Sequence, residues 1–424
     1  MKRAWLFSPF LLLLAACGGG GIPTLNVTLV DGIGEPLQPL AAAWRLGPPP
    51  SAPSGASLSW LSLPTGQSSW SLPIPSGARF QVAFRCPSVS GTDFYVSLDL
   101  MRSEVGTNLL VRCPVAYASP TVSTSGSVTP ALSWGTAFSA RGQAGITGSA
   151  FTNLDVPTGP GREVAAFGMA GPTSYFGRSG PLNITSTTTT VGSLSLSPTG
   201  TLNLTTPNGF FTYAGLVLST FVQVDLLPPT GAGWTGTGTP QPVARPTALS
   251  SGDLFQFWTC HGNSCAILRK DAADPAVASG ASVSLSVPPL SLSGSQSHTS
   301  STLPTFSNIA SGGFSPSLSF LGYALFLAEP GVRYWRHFLS AGALGSATSY
   351  YVDVQQAPGF AGVVPTAGSS VQLRATAFAG DQPLSALLAA RPIPQETFPG
   401  HTLFLDRMWP VHLETALLQS TISW

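Results

Sequence analysis

His401, Asp406, His412 and Glu414 are the densest group of titratable side chains in this chain of 424 residues. A general acid–base pair or a metal centre would be sought there first, because either needs imidazole and carboxylate groups that converge. Their spacing matches no ligand pattern, and the tip and edge of a final strand pair would account for them equally well. His261 stands between Cys260 and Cys265 and invites a zinc reading, yet zinc requires four ligands and the order is not that of a haem attachment. Neither a Gly-x-Ser-x-Gly elbow nor a Ser-x-x-Lys motif occurs, and phosphate-loop and calcium-loop patterns are missing as well. The expectation is therefore a non-catalytic protein with no metal and no cofactor; a hydrolase using His401 to Glu414 is held as an alternative. Trp44, Trp60 and Trp70 are the remaining candidates for chemistry: exposed in one plane they would stack on sugar rings, and buried they would fill a core.

The elements that must position these residues read as strands. Period-two alternation dominates: Leu216, Leu218, Thr220, Val222, Val224 and Leu226 share one face of a single expected strand, and Leu202 with Leu204 and Val283 with Leu285 and Val287 repeat the pattern. Serine and threonine fill the opposite faces. The 46 glycines and 39 prolines interrupt the chain too often for long helices.

The first residues form an address. Lys2-Arg3 precede an apolar run from Leu6 to Leu14, the n- and h-regions of an export signal. The ending Leu14-Ala15-Ala16-Cys17 resembles the lipobox of bacterial lipoproteins, which implies cleavage before Cys17 and its acylation. The resemblance further implies a cell-envelope location outside the cytoplasm, and Gly18 after the cysteine favours the outer over the inner membrane. Four cysteines then remain for an oxidising compartment. Cys260 and Cys265 flank a turn of His, Gly, Asn and Ser and should face each other, leaving Cys86 with Cys113. If the strands near 80–86, 93–101 and 107–113 formed a flat meander, those two cysteines would be ~9–10 Å apart, beyond bridging distance. The bridge therefore predicts that the strands face each other across a sandwich.

Composition limits the partners. Charged residues are 8% of the chain against a usual ~25%. Without Lys2 and Arg3, sixteen basic and seventeen acidic side chains remain, too balanced for a nucleic-acid partner. The membrane, reached through the lipid, is the expected partner, with an envelope protein or polysaccharide as further candidates.

Leu72-Pro-Ile-Pro-Ser-Gly-Ala-Arg79-Phe-Gln-Val-Ala-Phe84 recurs as Leu154-Asp-Val-Pro-Thr-Gly-Pro-Gly-Arg162-Glu-Val-Ala-Ala-Phe167, and more faintly as Leu327-Ala-Glu-Pro-Gly-Val-Arg333-Tyr334. Each copy is expected to be one β-hairpin with a Pro-Gly turn, its arginine serving as a solvated edge residue or a cross-strand partner. The pattern resembles carboxypeptidase-regulatory-like, transthyretin-type β-sandwich modules. The chain is thus expected to be all-β, with tandem Ig-like or transthyretin-like β-sandwich modules after a lipoprotein signal peptide. Residues 1–16 are the signal and 17–22 the lipidated Cys and tether; modules follow at 23–115, 116–190, 191–290 and 291–424. The reading is a lipid-anchored envelope protein with a structural or binding role, a carbohydrate-binding surface lipoprotein being the leading alternative.

Overall fold

The computed structural model describes residues 23–47, 59–89, 91–113, 117–226, 234–299, 301–393, 405 and 407–424. Cys17 and the signal lie outside them, as do His401 and Asp406. About 57% of the chain is strand and 6% helix, an all-β sandwich architecture.

One sheet organises the molecule. In spatial order it contains Gln223–Asp225, Phe211–Val217, Leu254–His261, Ser264–Asp271, Val411–Ser423, Ser370–Gly380, Ser319–Glu329, Arg333–Ser340, Thr92–Met101, Arg79–Val89, Ala41–Leu46 and Leu61–Ser62, with Trp234–Thr235 also on Phe211–Val217. Neighbours are antiparallel except at one seam, where Arg333–Ser340 runs parallel to Thr92–Met101. The sheet therefore crosses the expected boundaries at 115, 190 and 290: segments 23–115, 191–290 and 291–424 share it instead of each closing a separate sandwich. Parallel pairing needs no tight turn, so strands distant in sequence can join at the seam.

Smaller sheets cover this one. Ser69–Pro73, Thr24–Val30 and Asn108–Arg112 form a three-stranded sheet whose Leu25, Val27, Leu29 and Leu109 share a core with Phe80, Val82, Phe84, Val96 and Leu98. Gln241–Arg245, Gly200–Thr205 and Ser282–Ser284 form another, burying Leu202, Leu204 and Val283 in the same core with Leu216 and Phe255. On the other side of the 92–101 strand, Tyr95 joins Tyr323, Leu325, Trp335, Phe306 and Tyr350 in a second core. Residues 121–198 build their own six-stranded sheet around Thr121–Phe138.

Both disulfides form as expected. Cys86 and Cys113 have Cα atoms 5.9 Å apart and join the large sheet to the small one, because Asn108–Arg112 pairs with Thr24–Val30 while Arg79–Val89 pairs with Thr92–Met101. Cys260 and Cys265 face each other across a hairpin at 4.1 Å.

Two expectations about local structure fail in instructive ways. The alternating run 216–226 is not one strand: Phe211–Val217 turns at 218–222 and returns as Gln223–Asp225, with Leu216 opposite Val224 and Leu218 N–H donating to Val222 O at 2.8 Å. Reversal centred on Thr220 preserves parity, so Leu216, Leu218, Val222, Val224 and Leu226 are all buried in either geometry. The repeat is not three hairpins either. In the first copy Ser69–Pro73 belongs to the small sheet and Arg79–Val89 to the large one, making Pro75–Ala78 a corner between layers. In the second, Gln143–Pro157 and Ala165–Ala170 both pair with Thr121–Phe138. Only the faint third copy is a hairpin, with Glu329 opposite Arg333. Proline and glycine fix the reversal; the hydrogen-bond partner available to each arm lies elsewhere in the chain.

Replacing Cys86 and Cys113 together by Ala should cost ~3.6 kcal/mol by loop entropy, against ~2.2 kcal/mol for the Cys260/Cys265 pair. Denaturant titrations of the two double mutants check this, the first showing the larger fall in midpoint.

Candidate functional site

His401 and Asp406 lie outside the described residues, and the other residues singled out for chemistry share no site among those described. On Val411–Ser423, Glu414 is fully buried and accepts hydrogen bonds from Ser315 N at 2.8 Å and Ser315 Oγ at 2.5 Å, which makes it a tie to a neighbouring loop. His412 is half-buried, and its backbone N–H donates to Asp381 Oδ1 at 2.9 Å. Among the described residues no three His, Cys, Asp or Glu side chains are placed to hold a metal. His261 stacks on Phe210 with ring centroids 4.6 Å apart, and the cysteines beside it are bridged.

The tryptophans form no platform. Trp70 is buried, donates from Nε1 to Pro64 O at 3.0 Å and packs on Phe84. Trp44 is half-buried against the core that contains Phe84 and Val96. Trp60 is half-buried against the opposite core, with the Arg45 guanidinium 4.5 Å from its ring centroid. A flat row of exposed indoles is thus absent from these three positions: Trp44 and Trp70 pack into one core from two different sheets, and Trp60 packs against the other core.

A different group converges. Strand parity directs Arg45, Gln81, Asp99 and His337 to one face of the large sheet, and register places Arg45 opposite Gln81, Gln81 opposite Asp99 and Ser97 opposite His337. Side chains exactly opposite on adjacent strands are in direct reach. The carboxylate of Asp99, fully buried, accepts Arg79 Nε at 2.7 Å and Arg79 Nη2, on its second oxygen, at 2.5 Å, together with Gln81 Nε2 at 2.5 Å and Tyr350 Oη at 2.7 Å. Arg45 holds Gln81 Oε1 through Nε at 2.6 Å and pairs with Asp353 through Nη2.

The other arm of this network has a fixed proton order. Tyr350 gives its single proton to Asp99, so His337 Nε2, 2.7 Å from Tyr350 Oη, is the donor of that contact. His337 Nδ1 therefore accepts from Ser97 Oγ at 2.8 Å, and Ser97 Oγ accepts from Trp335 Nε1 at 3.0 Å. Such a chain requires a neutral imidazole. Burial drives the His337 pKa down to about 4, with Asp99 opposing the shift and Arg79 adding to it. Burial also raises the Tyr350 hydroxyl well above the ordinary tyrosine value, and the Asp99 charge raises it further.

Arg79, nearly buried, is the member of this network whose edge lines an open cleft of about 820 Å³ between Gly47, Gly77 and Met101 on one side and residues 342–349 on the other. Of the two arginines flagged by the repeat, Arg79 is a cross-strand partner and not a solvated edge residue. Arg162 pairs with Glu35, linking residues 116–190 to the first segment. Arg333, in the third copy, pairs with Glu329. Sequence reasoning missed Asp99, His337 and Tyr350 because no motif joins them; the one available signal was an ionisable or polar side chain at strand positions otherwise occupied by apolar residues.

The chain matches no known protein family, and no curated protein is similar to it. Among solved structures, the crystal structure of chicken CNTN1 FN1-FN3 domains is similar over 70% of this chain and 88% of that one, at 10% identity and a TM-score of 0.14. That TM-score is below the level of a shared overall fold.

Asp99→Ala should destabilise the protein by roughly 3–5 kcal/mol, because Arg79 would be left buried without its counterion; thermal and denaturant unfolding measure it. His337 is neutral when folded and its pKa lies below the unfolded value near 6.5, so the unfolded chain binds more protons between the two. Its stabilisation is complete above about pH 6.5 and is lost as pH falls toward 4, by roughly 3 kcal/mol at most. Comparing ΔG against pH for the parent and His337→Asn should show that component removed.

Proposed function

We propose that this chain is a lipid-anchored cell-envelope protein whose folded body serves as a rigid, non-catalytic platform for contact or binding. The observation that carries the reading is the continuity of the large sheet through residues 41–101, 211–271 and 319–423. Segments strung on hinges would swing independently; segments sharing hydrogen-bonded strands move as one body.

The remaining segment is tied in by charge. Glu35 pairs with Arg162, and Asp31 accepts the Ala118 N–H at 2.8 Å. Arg178 bridges Glu163 and Asp253, the latter at 2.7 Å, and Asp253 in turn accepts Ser219 N at 2.8 Å and Ser250 N at 2.7 Å. Two disulfides agree with an oxidising compartment. No helix among the described residues is long and apolar enough to cross a membrane. Attachment would come from acylation of Cys17, outside the described residues, with the outer membrane favoured by Gly18.

Expression with the native leader in a bacterium fed an alkyne-tagged fatty acid tests the anchor. The expected product carries the label and has Cys17 as its mature N-terminus, and Cys17→Ser loses the label. An unlabelled product, or a mature N-terminus elsewhere, overturns the anchor.

A further inference from the structure

Residues 342–349 form one wall of the cleft beside Arg79, and the structure pins that wall at both ends. Before it, the Glu104 carboxylate accepts Ser340 Oγ and, at 2.7 Å, the Gly342 N–H. After it, Tyr350 is held by Asp99 and His337, and Asp353 by Arg45. Near its far end, Ile309 N–H donates to Thr348 O at 3.0 Å. Residues 342–349 are thus tied to separate parts of the chain on both sides of the cleft wall.

Two lining glycines leave no room for a side chain: a Cβ at Gly47 would lie 3.0 Å from Arg79 Cγ, and one at Gly342 would lie 2.6 Å from the Glu104 carboxyl carbon. The cleft volume of about 820 Å³ falls within the ~300–1,000 Å³ of small-molecule sites.

The lining defines what would fit. Ser346, Thr348 and Ser349 offer exposed hydroxyls, and half-buried Met101 offers apolar surface. Among the described residues, Arg79 is the only ionised lining group, and Asp99 neutralises it. The described lining therefore combines three neutral hydroxyls with short C–H-binding surfaces and no uncompensated charge. We propose that it binds a neutral, polyhydroxylated ligand, a short saccharide, held by the hydroxyls of Ser346, Thr348 and Ser349 against the edge of Arg79. Positional preorganisation is what such a site needs, and the buried network behind Arg79 provides it. The proposal stands apart from the anchor, since neither the cleft nor its ligand involves Cys17.

The test uses the purified full chain and calorimetric titration with neutral malto-, cello-, chito- and mannotriose at millimolar concentration, with a trigalacturonate as charged control. At least one neutral trisaccharide should bind, and Ser346→Trp and Thr348→Trp should each weaken it ~10-fold or more with an unchanged melting temperature. Peroxide oxidation of Met101 in the parent protein should slow when that sugar is present, with Met169 and Met408 unaffected, a readout that needs no variant. Absence of binding by every neutral trisaccharide, tighter binding of trigalacturonate, or binding without Met101 protection overturns the proposal. The lipid-labelling result leaves all of these outcomes unchanged.

Discussion

A carboxylate inside a sheet loses its hydration, and at Asp99 four donors replace it: two from Arg79, one from Gln81 and one from Tyr350. These donors come from the adjacent strand and from the short strand Tyr350–Tyr351, 251 residues away in sequence, so satisfying the charge ties the register of Arg79–Val89 to the position of Tyr350. A register slip of one residue would turn Gln81 and Arg79 to the other face and leave the carboxylate without partners. The net stability from such a buried pair is small or even negative relative to apolar packing; what it contributes here is selection of one arrangement. The parallel seam beside it, with Ser97 opposite His337, joins the first and last parts of the chain.

The same logic recurs wherever segments meet. Charges are few in this chain, and several of them lie at the meetings of distant segments: Arg45 with Asp353, Arg162 with Glu35, and Arg178 with Asp253. Removing water from each group is costly unless the partner arrives, so a misdocked segment leaves a stranded charge. The polar exterior is left to serine, threonine and glycine, which tolerate exposure without marking a strongly charged face. A fold so dependent on distant pairings must close large loops before those contacts form, and the Cys86–Cys113 bridge shortens one such search.

Local patterns were legible to the extent that they depend on neighbours in the chain. Alternation identified the buried faces, including Leu216 to Leu226, even though the chain reverses in the middle, because a reversal about Thr220 leaves parity intact. The phase of Cys86 and Cys113 with their apolar neighbours, joined to the geometry of a bridge, located their strands on opposing sheets. The repeat misled for the complementary reason: proline followed by glycine specifies a reversal, which serves as a corner between layers at Pro75-Ser76-Gly77 and as a hairpin at Pro330-Gly331. The tryptophans were uninformative because indoles are as much at home in a core as on a surface.

What the sequence determined by itself was thus the all-β character, the two disulfides, the Pro-Gly turns and the inward-facing parity of runs such as Leu216 to Leu226, all set by steric and hydrophobic preferences acting over a few residues. Tertiary structure alone decided that three segments share one sheet, that Asp99, Arg79, His337 and Tyr350 meet, and that residues 342–349 stand over a cleft. Those outcomes rest on backbone hydrogen bonds, which are alike at every residue and carry no sequence label, so the choice among partners is made only when buried side chains find or fail to find their counterparts.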